Sequence, residues 1–240
     1  MVKIRKIKLF GITFFDANYK TVKYLLDKKG GLLVLPSGPG LSTIDKDKNY
    51  HYAIKNSDIA LFDSGYFCLL LRIFKGIKVK KFSGYKFFKE FVNSIKKEKN
   101  KKIFLVETNF TQSKINKKYF NSQNINKIYQ YVAPFYKKEN IADYKLLKKI
   151  NKIKPNYVII NLGGGVQEVL GSFLKNNINY KTSIICTGAA ISYFTKQQAP
   201  LTDFLDKIYV GWFIRIILNP FVFLPRYLSA FRLIFIMNKI

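Results

Sequence analysis

Asp63 is the residue whose type and position point most directly to chemistry. It follows the apolar run Ile59-Ala60-Leu61-Phe62 and directly precedes Ser64 and Gly65. Such a run predicts a buried strand, and open α/β sheets bind ligands beyond the carboxyl ends of their strands. A carboxylate placed there can accept a proton as a general base. The position also suits a helix N-cap, because Gly65 to Leu71 has the pattern of a first helical turn.

A triple-glycine turn is the second candidate. Gly163-Gly164-Gly165 follows the apolar run Tyr157 to Leu162 and precedes the helical pattern that begins at Val166. Backbone N–H groups in such a turn can approach a phosphate closely, with a helix N-terminus behind them. Glycines also occur in turns for packing alone, and this turn has neither dinucleotide-fingerprint spacing nor a P-loop lysine. Gln167 is suited to hydrogen-bond a base or sugar, or simply faces water.

Two polar segments are less specific. Asp45-Lys46-Asp47 resembles the paired carboxylates that hold a metal in nucleotide-sugar enzymes, but it follows no clear strand. We therefore interpret it as a solvated helix start. Ser37-Gly38-Pro39-Gly40 follows the strand-like run Leu32 to Leu35, and is either a ligand-contacting loop or only a turn.

Residue counts exclude several kinds of site. His51 is the only histidine, which argues against imidazole zinc sites, Ser-His-Asp triads and Cys-His pairs. Cys68 and Cys186 lie in separate apolar stretches, as buried thiols of a reducing compartment do. No secretory signal is apparent, so a cytoplasmic location is expected. We predict neither a metal nor a cofactor.

The chain is strongly basic, with 42 Lys and Arg against 14 Asp and Glu and a formal charge of +28. This charge predicts an acidic partner such as anionic lipid, a diphosphate or nucleic acid. Lysine-rich composition can also result from AT-rich coding, so charge alone does not choose among these partners.

The elements that must position these residues alternate between strand-like and helix-like patterns. This order predicts an α/β fold: a Rossmann-like, mainly parallel sheet with helices on both faces. Strands are predicted at residues 8–14, 31–35, 59–62, 101–106, 127–132, 157–161 and 183–186. Helices are predicted at residues 18–28, 50–55, 65–74, 85–97, 113–120, 143–153 and 166–175.

The last part of the chain differs in character. Residues 209–240 are apolar and aromatic but carry Arg215, Arg226 and Arg232, with Pro220 and Pro225 between them. No stretch is long enough to span a bilayer. We predict an α/β domain over residues 1–208 and an amphipathic helical appendage over 209–240 that lies in the lipid interface. The alternative is that this tail only packs on the core.

Together these segments resemble the WecG/TagA/CpsF family, glycosyltransferase family 26, over most of the chain. The resemblance rests on the order and spacing of five stretches: Leu35-Pro36-Ser37, Ser57 to Gly65, Gly163 to Glu168, Gly188 to Tyr193, and Gly211-Trp212-Phe213-Ile214-Arg215 with Asn219-Pro220 and Arg226-Tyr227.

The resemblance implies an inverting transfer of an N-acetylmannosamine-type sugar. The implied donor is a UDP-sugar, and the implied acceptor is a polyprenyl-diphosphate-linked sugar at the cytoplasmic face of the membrane. Asp63 matches the family's proposed catalytic base. The implied substrate-binding residues are Ser37, Gly65, Gly84, Gly163, Gly164, Gln167, Gly188, Arg215 and Arg226. An anionic membrane surface is the expected partner, nucleic acid is not, and homo-oligomerisation is left open.

The sequence departs from the family pattern near the expected ligand positions. Leu35 and Ser37 replace Thr and Asn, Gly165 replaces Pro, and Ser192 and Lys86 each stand where an Asp is usual. Glu107-Thr108 replaces a Gly-Gly, and Gly211 replaces a Glu. The alternatives are a basic nucleic-acid-binding protein, suggested by the charge and abundant Tyr and Phe, and a non-catalytic binder of lipid-linked sugar.

Overall fold

A single eight-stranded sheet organises the protein. The computed structural model describes residues 4–137, 141–197, 216–217 and 220–238. The strand order is β1-β2-β4-β3-β8-β7-β5-β6, and every neighbouring pair is parallel except β1 and β2. The strands are β1 (Arg5–Leu9), β2 (Ile12–Asp16), β3 (Gly31–Val34), β4 (Ile59–Leu61), β5 (Ile103–Glu107), β6 (Ile128–Val132), β7 (Tyr157–Ile160) and β8 (Ser183–Cys186).

The first strands form a hairpin, and the prediction of one strand over residues 8–14 is wrong. Phe10 and Gly11 both have positive φ, at 55° and 75°, and turn the chain so that β1 and β2 pair antiparallel. Glycine adopts such a φ readily, whereas Phe10 does so at a cost. The apolar residues on both sides of the turn made the segment look continuous in sequence.

Helices connect most of the strands. They are α1 (Tyr19–Lys29), α2 (Gly38–Leu41), α3 (Lys48–Lys55), α4 (Gly65–Lys75), α5 (Gly84–Ile95), α6 (Phe110–Ser122), α7 (Tyr144–Ile153) and α8 (Val166–Asn177). A 3-10 helix, Gly188–Tyr193, follows β8. The predicted helices are confirmed with shifted ends, while α2 was expected only as a loop or turn.

Alternate strand residues fill cores on the two faces of the sheet, as fully buried parallel strands require. Leu32, Val34 and Ile160 contribute to the core against α3, α4, α7 and α8. Leu33, Leu61 and Ile159 contribute to the core against α1, α5 and α6. Cys68 and Cys186 are buried free thiols, as predicted. The α/β prediction with helices on both faces is therefore confirmed.

Two helices form the described part of the tail, α9 (Pro220–Ala230) and α10 (Arg232–Asn238). Ala230, Leu233 and Met237 are buried in the core that also contains α4. The tail thus packs on the domain and also has an outward face. The predicted boundary between residues 208 and 209 lies outside the described residues. None of the described helices combines the length and hydropathy that crossing a membrane requires.

Candidate functional site

A cleft of about 360 Å³ opens at the carboxyl edge of the sheet. The side chains and backbone that line it come from the segments that follow β3, β4, β5, β7 and β8, and from α9. Nine of the residues predicted to act there line it: Ser37, Asp63, Gly65, Gly84, Gly163, Gly164, Gln167, Gly188 and Arg226. Arg215 lies outside the described residues. The parallel order explains this gathering, because every contributing strand ends at the same edge.

Asp63 lies two residues beyond β4 and is only partly buried. Its Oδ1 atom accepts a hydrogen bond of 2.6 Å from the Gly84 backbone N–H, at the first residue of α5. The N-cap alternative is wrong, because Ser64 caps α4 by accepting from the Phe67 N–H. Asp63 is therefore held by the positive end of a different helix, which stabilises its negative charge.

The glycine turn presents open space to the cleft. Among the described residues, no atom would lie within 4 Å of a Cβ atom built on Gly163 or Gly164. Gly165 has a φ of +89°, which side-chain-bearing residues rarely adopt. The turn therefore leaves room for a ligand against its backbone, and α8 begins directly behind it.

Glu168 is a buried carboxyl beneath this turn. Its Oε2 accepts from the Gly165 N–H at 2.7 Å, and its Oε1 accepts from Gln167 Nε2 at 2.9 Å. Burial is the largest of the effects that together raise the pKa of Glu168 to about 7; the negative charge of Asp63 acts in the same direction, and hydrogen bonds from Gln167, the Gly165 N–H and its own N–H act against it. Glu168 thus titrates close to neutral pH within reach of the charge on Asp63.

Gln167 joins two edges of the cleft. While its Nε2 donates to Glu168, its Oε1 accepts from the Gly188 N–H at 2.7 Å. Gly188 has a φ of +56° and begins the 3-10 helix after β8. The amide of Gln167 is therefore committed to protein partners, rather than to water as the alternative interpretation had it.

Comparison with known protein families places the chain in one of them. A sequence model described as the glycosyl transferase WecG/TagA/CpsF family matches residues 2–239. The chain belongs to this family of glycosyltransferases. The family acts in cell-surface polysaccharide synthesis. A search of curated proteins gave no match.

Several departures of this glycosyltransferase from the family pattern now have a structural setting. Gly165, where the family carries proline, has a φ that proline cannot adopt. Leu35 lines the cleft with an apolar side chain, and the Ser37 hydroxyl caps α2 by accepting from the Gly40 N–H. Lys86 instead extends over the Phe82 ring and is not among the residues lining the cleft.

Glu107-Thr108 stands where the family pattern has Gly-Gly, and Glu107 therefore adds a carboxyl group below the cleft. Glu107 is fully buried, and its Oε2 accepts from Asn116 Nδ2 at 2.9 Å. Burial raises the pKa of Glu107, while Asn116 and Asn161 act in the opposite direction as hydrogen-bonding neighbours. Within the described part of the chain, however, Asn161 Nδ2 completes no hydrogen bond of good geometry. Three polar residues line the cleft above Glu107: Asn161, Thr108 and Thr187.

Cationic and aromatic side chains complete the lining. Lys81 lines the same cleft as Asp63, and the exposed Arg226 of α9 lines it as well. Tyr85 stacks on Phe194 with ring centroids 5.0 Å apart and meets the Tyr193 ring edge-on. Among the residues described by the structure, no three His, Cys, Asp or Glu side chains are grouped as metal ligands would be.

Sequence reasoning assigned no role at this site to four residues: Glu168, Asn161, Glu107 and Lys81. Glu168 was quoted only as part of the glycine segment, although a Glu three residues after a helix N-cap is a recognisable capping signal. Glu107 was noted only as a departure from the family pattern, and Asn161 only as the polar end of an apolar run. Lys81 gave no separate signal, because it lies among many similar lysines.

Proposed function

We propose that this glycosyltransferase moves an N-acetylmannosamine-type sugar from a UDP donor to a polyprenyl-diphosphate-linked acceptor, with inversion at the anomeric carbon. The observation that carries the proposal is that one cleft contains both the Asp63 carboxylate and the open glycine turn. Asp63 follows β4 and the turn follows β7, three strand spacings apart, which is roughly 14 Å. A sugar and a diphosphate fit across that distance.

Asp63 is proposed as the general base. In a single displacement, the acceptor oxygen bonds to the anomeric carbon while the bond from that carbon to the UDP oxygen breaks. The acceptor proton passes to the Asp63 carboxylate. The hydrogen bond from Gly84 N–H fixes the orientation of the carboxylate before the acceptor arrives.

The departing UDP gains negative charge, which the donor side of the cleft is suited to receive. Gly163 and Gly164 offer backbone against open space, and the N-terminal end of α8 lies behind them. Lys81 and Arg226 add cationic charge at the cleft wall. Preorganised groups of this kind stabilise developing anions without reorganisation. Arg215 is proposed for the same role, although it lies outside the described residues.

The proposed location is peripheral, at the cytoplasmic face of the cell membrane. A lipid-linked acceptor is confined to the bilayer, and α9 both borders the cleft and exposes apolar side chains. The diphosphate and the anionic lipid are both negatively charged, and the formal net charge of the chain is +28. Electrostatic attraction therefore favours both partners.

The test is UDP release from a panel of UDP-sugars with polyprenyl-diphosphate-linked acceptors. Asp63→Asn should lower turnover by at least a hundredfold while UDP affinity and thermal stability stay near the parent values. Asp16→Asn is the matched control, since Asp16 ends the neighbouring strand β2 and is not a cleft-lining residue. Near-parent turnover by Asp63→Asn would remove Asp63 from the role of base. UDP binding without release from any donor would favour the non-catalytic binder.

A further inference from the structure

Three helices expose apolar side chains on the surface next to the cleft. We name this surface the apolar face. Leu69 and Ile73 lie four positions apart on α4 with Phe74 next to them, the exposed residues of α9 lie three and four apart, and the two at α10 lie four apart, so most share one side of their helix. The apolar face comprises Leu69, Ile73 and Phe74 of α4, Phe221, Leu224 and Leu228 of α9, and Phe231 and Phe235 at α10.

These exposed residues belong to one continuous layer. Helix α10 packs against α4, and α9 packs against α10. The Phe231 ring meets the Tyr66 ring of α4 edge-on at 6.1 Å. The inner sides of the same helices are buried, with Leu71 of α4 and Leu233 of α10 in one core. Exposure is large on the outer side, at 63% for Ile73, 69% for Phe235 and 93% for Phe221.

Single exposed apolar residues are ordinary on a protein surface. Eight of them on three packed helices indicate a surface that another molecule covers. The surrounding charge indicates which one. Arg72 and Lys75 are exposed on α4, and Lys78 and Lys80 are exposed in the segment that follows. The sequence contains no Asp or Glu between Asp63 and Glu90, and none after Asp206. A surface that is apolar in the middle and cationic at its margin complements an anionic bilayer.

The apolar face also adjoins the cleft. Arg226 and Tyr227 line the cleft from the same helix, α9, that exposes Leu224 and Leu228. A bilayer contacting the apolar face would therefore lie beside the opening through which a lipid-linked substrate must reach Asp63.

We infer that α4, and not the tail alone, docks this protein on membranes: the apolar face inserts into the headgroup region of an anionic bilayer while Arg72, Lys75, Lys78 and Lys80 contact its phosphates. The choice of a bilayer as the occupant rests on the proposed function. The contribution of α4 rests on the packing and charge described above.

The experiment measures partitioning of the full chain onto phosphatidylglycerol and phosphatidylcholine vesicles by co-sedimentation, with no sugar donor or acceptor present. Ile73→Glu/Phe74→Glu should weaken partitioning onto phosphatidylglycerol at least tenfold. Arg72→Gln/Lys75→Gln should weaken binding to phosphatidylglycerol and reduce its salt dependence. Phe110→Glu is the control, because Phe110 is even more exposed than Ile73 and Phe74 but lies on α6, on the opposite face of the sheet. Thermal melting of each variant checks that it is folded.

Unchanged partitioning by folded Ile73→Glu/Phe74→Glu would overturn the inference. A second result would also overturn it: the parent protein does not bind vesicles but forms a dimer, and Ile73→Glu/Phe74→Glu abolishes that dimer. The apolar face would then join two copies of the chain.

Turnover separates this inference from the proposed function. With a water-soluble short-chain acceptor, Ile73→Glu/Phe74→Glu should release UDP at the parent rate, whereas with a vesicle-embedded acceptor it should lose most of its rate. A parent that binds vesicles but releases no UDP would contradict the function and leave the docking surface supported.

Discussion

Arg232 of the tail forms an ion pair with Asp45, which lies in the segment between α2 and α3. The Arg232 Nη2 atom lies 2.6 Å from Asp45 Oδ2, and Nη1 donates to the Ser42 carbonyl at 3.1 Å. Asp45 was predicted as part of a solvated helix start, and the N-cap of α3 is indeed Asp47. The ion pair and the packing of α9 on α2 together hold the tail beside the cleft wall that contains Ser37.

Arg232→Ala should loosen the tail without unfolding the domain. Because both side chains are about a third or more exposed, the coupling between Arg232 and Asp45 should be only about 0.2–1 kcal/mol in a double-mutant cycle with Asp45→Asn. Hydrogen exchange over residues 220–238 should quicken, and the acceptor KM should rise several-fold. Arg5→Ala, which breaks another surface ion pair, is the control. Slow exchange retained by Arg232→Ala would show that packing alone holds the tail.

Glu168→Gln should change how stability depends on pH. The folded-state pKa of Glu168, about 7, exceeds the ordinary unfolded value of about 4.3, so the folded state retains a proton that the unfolded state loses. This contribution to stability is complete below the unfolded pKa and is lost as pH rises through the folded pKa. The loss is on the order of 3 kcal/mol. Denaturant unfolding at several pH values should show a smaller decline in Glu168→Gln, and parallel curves would contradict this.

Substitutions in the glycine turn should separate stability from ligand binding. Gly165→Pro cannot adopt the φ of +89° and removes the N–H that donates to Glu168, so it should cost more than about 3 kcal/mol. The methyl group of Gly163→Ala would meet no atom of the described part of the chain, so this substitution should leave the melting temperature nearly unchanged. Its methyl group faces the cleft, so UDP affinity by calorimetry should fall about tenfold or more. Equal stability of the Gly165→Pro variant would contradict the turn geometry.

Lys81 and Lys86 form a matched pair of lysines five residues apart. Lys81 lines the cleft, whereas Lys86 lies over the Phe82 ring. If Lys81 contacts the leaving diphosphate, Lys81→Ala should lower kcat about tenfold to a hundredfold, the range expected for loss of one anion-stabilising group. Lys86→Ala should remain within about twofold of the parent. Equal effects of the two substitutions would indicate that only overall charge matters.

The parallel strands were predictable because burial on both faces makes them apolar throughout, as at Ile59–Leu61 and Ser183–Cys186. Helix α2 was not, since Gly38-Pro39-Gly40 has the composition of a turn and becomes helical only with the Ser37 cap and packing against α4 and α9. Local pattern determines such short elements poorly, because their stability comes from tertiary contacts.

The candidate site was predictable where function places an unusual residue at a strand end, as with Asp63 and the glycine turn. It was not predictable where a partner is distant in sequence. Gly84 is 21 residues from Asp63 and Gly188 is 21 residues from Gln167, and no periodicity links either pair. Resemblance to a family supplied these glycines, and only the fold explains their contacts.

Hydrogen bonds tie the loop after β7 to the loop after β8: Gln167 accepts from the Gly188 N–H and donates to Glu168, which accepts from the Gly165 N–H. Any widening of the cleft that keeps these hydrogen bonds would have to come from the opposite wall, where α9 packs on α2 and Arg232 pairs with Asp45. In the proposed reaction, substrate admission would then depend on the side of the enzyme that carries the tail helices.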